Sequence, residues 1–353
     1  MKTLSTTLTH TLKNTLRAAV GVLTAGALGL SLAACGDDTG ATVDDDGRYV
    51  LNYQGTPGTV SLPELADDLG FFENTALNRV SDTSSGPVAI QNVATGETDF
   101  GSAFNGAIAK LRASGSDITA VVDSYGADEE TYNGYLVRKD SDIRTGKDLI
   151  GRTVGMNTLG AHGEFITREW LRQQGLTPEE IGKVNLVVVE PVNNEEALRT
   201  GQIDVGSMSS VFLQHAKESG EYRELFTDKD LFDQFSYGSY VFRDQFIRDS
   251  PEAVEDFARG IARAIAWLQT TDRTEVVDRY RTIMEGRDRN EDPALAEYYR
   301  SSSIPKRGGV IQPEEFSIWT DWLVRSGDLG DGELDPEDLY TNDFNPYATG
   351  ELS

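Results

Sequence analysis

One eight-residue pattern occurs twice in this chain. Residues 95–102 read T-G-E-T-D-F-G-S and residues 200–207 read T-G-Q-I-D-V-G-S, identical at five of eight positions and offset by 105 residues. A helix-like run precedes each copy (87–94 and 194–199), and apolar residues follow. Both copies read as a helix closed by glycine, which tolerates the left-handed conformation at helix ends, and then a short strand. The Gly-Ser pair is expected just past that strand. There it presents bare backbone and a hydroxyl at the carboxyl end, where open α/β sheets bind ligands. A chance echo of a common helix-to-strand turn would look similar. Strand-like runs at 77–80 and 187–189 precede the two copies in matching places, which favours two similar lobes, each offering such an edge.

The rest of the pattern agrees with two α/β lobes. Strand-like runs at 49–53, 77–81 and 118–123 alternate with helical ones, and 134–138, 153–156 and 186–189 begin the pattern again. Such alternation implies parallel βα units. Ser61 with Glu64 and Thr177 with Glu180 fit capping boxes, each with a proline near the first helical position; Asn193 with Glu196 is a third capping pair. Residues 237–242 form another strand, and from Pro251 the chain turns helical. Val254, Phe257, Ile261, Ile265 and Leu268 make one apolar helix face, and Trp319, Trp322 and Leu323 suggest another. The last 27 residues are acidic and turn-rich.

The amino terminus is a separate case. Lys2, Lys13 and Arg17 precede an apolar run at 18–32, of signal-sequence length and somewhat short for a membrane span. Leu32-Ala33-Ala34-Cys35 then resembles the bacterial lipobox, in which the cysteine becomes the lipidated first residue. Cys35 is the only cysteine, so intrachain disulfides and CxxC metal sites are excluded. Residues 1–34 are therefore expected to be a signal peptide and 35–47, with the triplet Asp44-Asp45-Asp46, a flexible acidic tether. The net charge of −26 argues against nucleic-acid binding, which needs a basic face.

The chain resembles the substrate-binding lipoproteins of ABC importers, in the group handling nitrate, aliphatic sulfonates, taurine and pyrimidine precursors. The resemblance runs over roughly residues 49–345. It rests on the lipobox, on "LADDLGFFE", "SSGPVAIQNVATGETDFGS", "GYLVRKDSDIRTGKDLIGRTVGMN", "LGAHGEF" and "NNEEALRTGQIDVGS". It implies a two-lobed periplasmic-binding-protein-like α/β fold of type II, each lobe a mostly parallel sheet flanked by helices, joined by two crossover strands. With crossings near 134–137 and 238–241, lobe one would be 48–136 and 240–353, carrying the carboxyl-terminal helices, and lobe two 137–239. It also implies a monomer on the extracytoplasmic membrane face, with permease and ATPase partners and no cofactor or metal.

A helix amino terminus offers unpaired N–H groups and partial positive charge, an anion site. Ser84-Ser85-Gly86-Pro87 and the stretch 157–162 (N-T-L-G-A-H) place such starts in the two lobes. Family members use these loops for the ligand. The resemblance therefore points to Ser84, Ser85, Gly86, Asn157, Thr158, Gly160, Ala161 and His162. Further candidates are Gln54, Ser102, Phe104, Asn105, Tyr125, Ser207, Met208 and Ser209. Arg79 and Arg138 could neutralise an anion or could be surface residues. Many sulfonate binders carry Trp and Pro where this chain has Met208 and Ser210, which allows a differently shaped ligand. The solute is expected to be small and polar or anionic: sulfonate-like, taurine-like, nitrate-like or an aromatic carboxylate. A pyrimidine or other vitamin precursor, or a sensor role without transport, is the alternative. Catalytic signatures are missing from the sequence: no H-x-x-x-H pair, no G-x-S-x-G elbow and no phosphate loop in the mature chain. A pyrimidine-precursor synthase of this fold depends on a lysine for its cofactor and on a cysteine-rich motif, and this chain has no second cysteine.

Overall fold

A computed structural model describes residues 40–353; Cys35, the apolar run and the start of the acidic stretch lie outside them. Residues 40–47 are not a tether. β1 (Thr42–Val43) pairs antiparallel with β2 (Tyr49–Gly55), in register Thr42↔Val50. The cause is local: Asp44 Oδ1 accepts the N–H groups of Asp46 and Arg48 at 3.0 and 2.9 Å, which closes the turn. The Ala41 N–H donates to Ser250 Oγ at 2.9 Å and ties the hairpin down.

From β2 the chain runs through α1 (Leu62–Asp68), β3 (Thr75–Asp82), α2 (Gly86–Thr95), β4 (Phe100–Phe104), α3 (Asn105–Ala113) and β5 (Ile118–Ala127). It then builds a second unit: β6 (Asn133–Arg138), β7 (Thr153–Met156), α4 (His162–Gln173), α5 (Pro178–Ile181), β8 (Asn185–Val188), α6 (Pro191–Thr200), β9 (Val205–Ser209), α7 (Ser210–Ser219), β10 (Tyr222–Thr227) and α8 (Lys229–Phe232). β11 (Phe235–Arg243) returns to the first unit, followed by α9 (Asp244–Asp249), α10 (Pro251–Thr270), α11 (Arg273–Gly286), α12 (Glu314–Ser326) and α13 (Pro346–Thr349). The capping boxes at Ser61/Glu64 and Thr177/Glu180 form as expected. The third pair does not: α6 starts at Pro191, so Asn193 lies inside the helix. Proline at the first helical turn, with its φ already set, moves the start two residues upstream.

The second sheet has the order β10-β6-β9-β7-β8. In the first unit β3 pairs with β2, and β11 lies between β4 and β5. Asn52 and Asp99 join these halves: the Asp99 N–H donates to Asn52 O at 2.9 Å, and the Asn52 N–H and Nδ2 donate to Asp99 Oδ2 at 2.7 and 2.9 Å. Read across, the first layer is β5-β11-β4-β2-β3 and corresponds strand for strand with the second. β11 is antiparallel to both its neighbours, and so is β6. The two-lobed α/β architecture is the expected one. The crossings differ from expectation. Residues 134–137 pair wholly within the second sheet and 238–241 wholly within the first, so the chain changes sheets earlier, at 128–132 and 228–234. Strand character alone does not say which sheet a strand joins.

The repeat falls at equivalent places in the two units. Gly96 and Gly201 end α2 and α6 in the left-handed conformation, with φ of 84° and 76°. The repeated aspartates staple the following strand to its neighbour. Asp204 does for Thr153 what Asp99 does for Asn52: its N–H donates to Thr153 O and its Oδ2 accepts the Thr153 N–H, both at 2.9 Å. Gly101 and Gly206 lie inside β4 and β9, not past them. A Cβ there would stand 3.0 Å from Ala89 O or 2.7 Å from Asn194 Oδ1, so glycine lets each helix lie close on its strand.

Phe100 anchors the first core, 4.4 Å from the Phe257 ring and stacked on Tyr53 at 5.4 Å. The expected face of α10 is fully buried there from Val254 to Ile265. α12 does not belong to one lobe alone. Trp319 lies 4.6 Å from Phe104 and 4.5 Å from Phe165 of α4, so it ties both units together.

Candidate functional site

The two repeated serines open onto one cavity of about 350 Å³ between the sheets. Ser102 and Phe104 of β4, and Ser207, Met208 and Ser209 of β9, line it. Ser102 Oγ lies 2.7 Å from Ser124 Oγ, and Asn133 Nδ2 donates to Ser207 Oγ at 3.0 Å. The starts of α2, α4, α6 and α7 reach the wall through Gly86, His162, Pro191 and Ser210. None of these four helices has a side-chain cap bond. Their first N–H groups and partial positive charge therefore converge on one space. Among the described residues no Lys, Arg, Asp or Glu side chain lines the cavity.

The two helix-start loops meet directly. Ser85 Oγ is 3.0 Å from Thr158 Oγ1, Asn157 Nδ2 donates to Ser84 O at 2.9 Å, and the Ser84 hydroxyl donates to Glu190 Oε2 at 2.6 Å. These bonds connect the units across the cleft, a closed arrangement. His162, the first residue of α4, sits deeper. Its ring stacks on Tyr237 at 3.7 Å with 2° between planes, and its Nε2 is 3.0 Å from Asp228 Oδ2, itself fully buried. Nδ1 is buried without a partner.

Gln54, Ser84, Ser85, Gly86, Ser102, Phe104, Tyr125, Asn157, Ala161, His162, Ser207, Met208 and Ser209 all line this space. Asn105, Thr158 and Gly160 do not. Asn105 follows Phe104 on the opposite side and is fully buried; Ser239 Oγ donates to its Oδ1, and its Nδ2 donates to Glu315 O. Thr158 is turned to Ser85. Gly160 has φ +73° and faces a different groove, beside α12. Arg79 pairs with Asp82, and Arg138 donates to Leu198 O, both away from the cavity.

Sequence reasoning missed Tyr53, Tyr237, Tyr240, Asn133 and Asn194, which also line it. The tyrosines lie on strands whose alternation marked them only as core. Asn194 Nδ2 donates to Ser207 O at 2.8 Å, which orients the repeat serine, while its Oδ1 is buried without a partner. The loop over the cavity is held from behind. Arg287 and Arg289 pair with Glu64 at 3.1 and 2.7 Å, Arg287 donates to Thr59 O at 2.7 Å, and the Gly58 N–H donates to Glu291 at 2.9 Å. Burial alone would raise the Glu64 carboxyl, but the Ser61 N–H and both guanidiniums outweigh it and hold it below its ordinary value. Tyr53, pushed up to about 12 mainly by burial, stays protonated and donates to Glu64 at 3.2 Å.

Two like sheets enclosing one cleft, each lent a strand by the other half, define the periplasmic-binding-protein fold. The chain belongs to the NMT1/THI5-like family, whose model matches residues 64–272. It is 24% identical over 307 residues to a binding protein of Brucella abortus (strain 2308), covering 84% of this chain and 89% of that one. It is 22% identical over 316 residues to the 4-amino-5-hydroxymethyl-2-methylpyrimidine phosphate synthase THI12 of Saccharomyces cerevisiae, covering 85% and 87%. The solved alkanesulfonate-binding protein SsuA from Xanthomonas axonopodis pv. citri, bound to MOPS, superposes with a TM-score of 0.63 at 17% identity, covering 83% of this chain and 98% of that one. Among the described residues no group of metal-ligating side chains gathers, and no helix is long and apolar enough to cross a membrane.

Proposed function

We propose that this chain is the extracytoplasmic solute-binding component of an ABC importer, anchored through a lipid on Cys35 and acting as a monomer with permease and ATPase subunits. The observation that carries this reading is the cavity itself: four helix starts without side-chain caps converge on a ring-walled space in the cleft of a two-lobed fold. Such a space suits a small organic solute with a polar or anionic end at the helix starts and an apolar part against Phe104, Tyr125 and Met208. Sulfonates, nitrate and aromatic carboxylates fit that description. A binding role is supported by the likeness to the Brucella abortus binding protein and to the solved alkanesulfonate-binding protein. A second reading, a pyrimidine or other vitamin precursor, is favoured by the absence of a cationic side chain and by the stacked His162–Tyr237 pair, which suits a flat polar ring.

A thermal-shift screen of sulfonates, nitrate, aromatic carboxylates, pyrimidines and flavins, followed by calorimetry, tests both. Micromolar or tighter binding of one class selects between them; no stabilisation by any member overturns both. The anchor is tested separately. Cys35→Ser should move the protein from the membrane fraction to the soluble one, and unchanged membrane association would refute lipidation. A single acyl chain holds only marginally, so lasting attachment implies more than one.

A further inference from the structure

A second cavity, of about 260 Å³, lies behind the first on the side of the sheet crossings. The two share walls: Ser124, Tyr125, Ser209, Ser210, Tyr237 and Tyr240 line both. The second is built differently. Every aromatic side chain on it is a tyrosine, six in all, and no Lys, Arg, Asp or Glu lines it. Its far side comes from α11 and the segment after it, through Tyr280, Met284, Leu295 and Tyr299. Tyr299 is only 7% exposed, and its hydroxyl is buried without a hydrogen-bond partner. A buried hydroxyl left unpaired costs free energy, and one on a cavity-lining side chain gains a partner when the ring turns toward a ligand group.

The backbone shows the same bias. Among the described residues three non-glycine residues have positive φ, and two of them line this cavity: Ser210 at +50° on the shared wall and Ser303 at +58° on the far side. Such conformations persist only where the surroundings hold them, and they gather at ligand clamps. Close backbone packing holds Ser303, since a Cβ on Gly126 would meet Ser303 O at 2.6 Å.

We propose that the second cavity is a distal subsite of the same binding site, seating an uncharged aromatic ring with a hydrogen-bonding edge, so that the solute this protein takes has two parts. The inference rests on the solute-binding reading above. The polar or anionic end lies at the helix starts of the first cavity. The second ring passes the shared wall of Tyr125 and Ser210 and lies among the tyrosine faces, with its polar edge at Tyr299. Tyrosine suits this seat because each side chain offers an apolar face and a polar rim.

The test uses two ring probes read by 19F NMR: 2-fluorophenol, with one ring, and 3-fluorobiphenyl-4,4′-diol, with a second ring that carries its own hydroxyl. The parent should bind the two-ring probe at least about tenfold more tightly than the one-ring probe, as expected when a second ring gains buried apolar area. Met284→Trp fills the second cavity and should return the two-ring probe to the one-ring affinity while leaving the one-ring probe unchanged. Leu295→Trp, on a half-buried segment, serves the same purpose if the first variant is unstable. Tyr299→Phe should weaken the two-ring probe by about two- to tenfold, the value of one neutral hydrogen bond. A two-ring probe that binds no tighter than one ring, that is untouched by both tryptophan variants, or that fails to bind at all would overturn the subsite. The importer reading falls separately. If a solute of the screen binds and the two-ring probe gains nothing, the second seat alone is wrong. If the ring probes behave as stated and no screened solute binds, the seat stands and the importer reading fails.

Discussion

Replacing Glu315 by glutamine should remove part of the loss of stability that this protein suffers on passing from acid to neutral pH. Glu315 on α12 and Asp123 on β5 are buried together, at 5% and 0% exposure, beside Ser236. Neither oxygen of Asp123 has a partner of good hydrogen-bond geometry, while the Gln312 N–H donates to Glu315 at 2.8 Å. Burial raises Glu315 from 4.5 to about 7, against the Gln312 N–H and distant Lys306; Asp123 is raised well above its ordinary value by burial and then by Glu315. A raised carboxyl means that the folded state holds its proton more tightly than the unfolded state. The contribution of Glu315 is therefore fully present below about pH 4.5 and is lost as pH rises through about 7, and Asp123, raised in the same direction, adds to the loss. At about 1.4 kcal/mol per pH unit the loss is ~3 kcal/mol, worth roughly 5–10 °C of melting temperature in a protein of this size. Glutamine keeps an acceptor for the Gln312 N–H and gives Asp123 a donor. Melting temperatures of parent, Glu315→Gln and the exposed control Glu314→Gln should be compared at pH 5 and pH 8. The parent and control should fall by several degrees more than Glu315→Gln. An equal fall in all three would mean that the pair is not a proton store and the reasoning is wrong.

Asp99→Ala should lower stability by about 1–3 kcal/mol in urea melts, because it strips the Asn52 N–H and amide of their acceptor and leaves only the main-chain bond of residue 99 between β2 and β4; an unchanged midpoint would refute the staple. Ser85→Ala should weaken the solute found by the screen by up to about tenfold in calorimetry and raise the radius of gyration of the free protein, since its partner Thr158 lies across the cleft. Unchanged affinity and size would show that the contact holds nothing. Gly160→Ala should cost about 1–2 kcal/mol from its +73° φ and leave affinity unchanged, because a Cβ there meets open space off the cavity; a weaker Kd would return Gly160 to the site.

Helix starts, strand alternation and the repeat were legible because their causes are local. Ser61 and Glu64 satisfy each other three residues apart, and Gly96 and Gly201 close helices that their own sequence defines. The two Gly-rich loops were recognisable for the same reason, and the fold brings Ser85 and Asn157 to one cleft. Asn193 was misread because a proline two residues upstream starts the helix first. Asn105 was misread because its neighbours on β4 face the cavity, and only the packing of Ser239 and α12 shows that its amide is needed in the core.

The sequence by itself determined the two-lobed pattern, the order of βα units and which loops would begin helices, since hydrophobic period and capping act within a few residues. The tertiary structure decided which sheet receives β6 and β11, because a strand's own side chains do not name its hydrogen-bonding partner. It alone paired His162 with Asp228, 66 residues away, and with the face of Tyr237. It also set Tyr299 against a wall built from β5, β11 and α7, the first of which lies more than 170 positions away in the sequence. Such sites are made by surfaces that meet only after the chain has crossed twice between its sheets, and no short-range signal records that meeting.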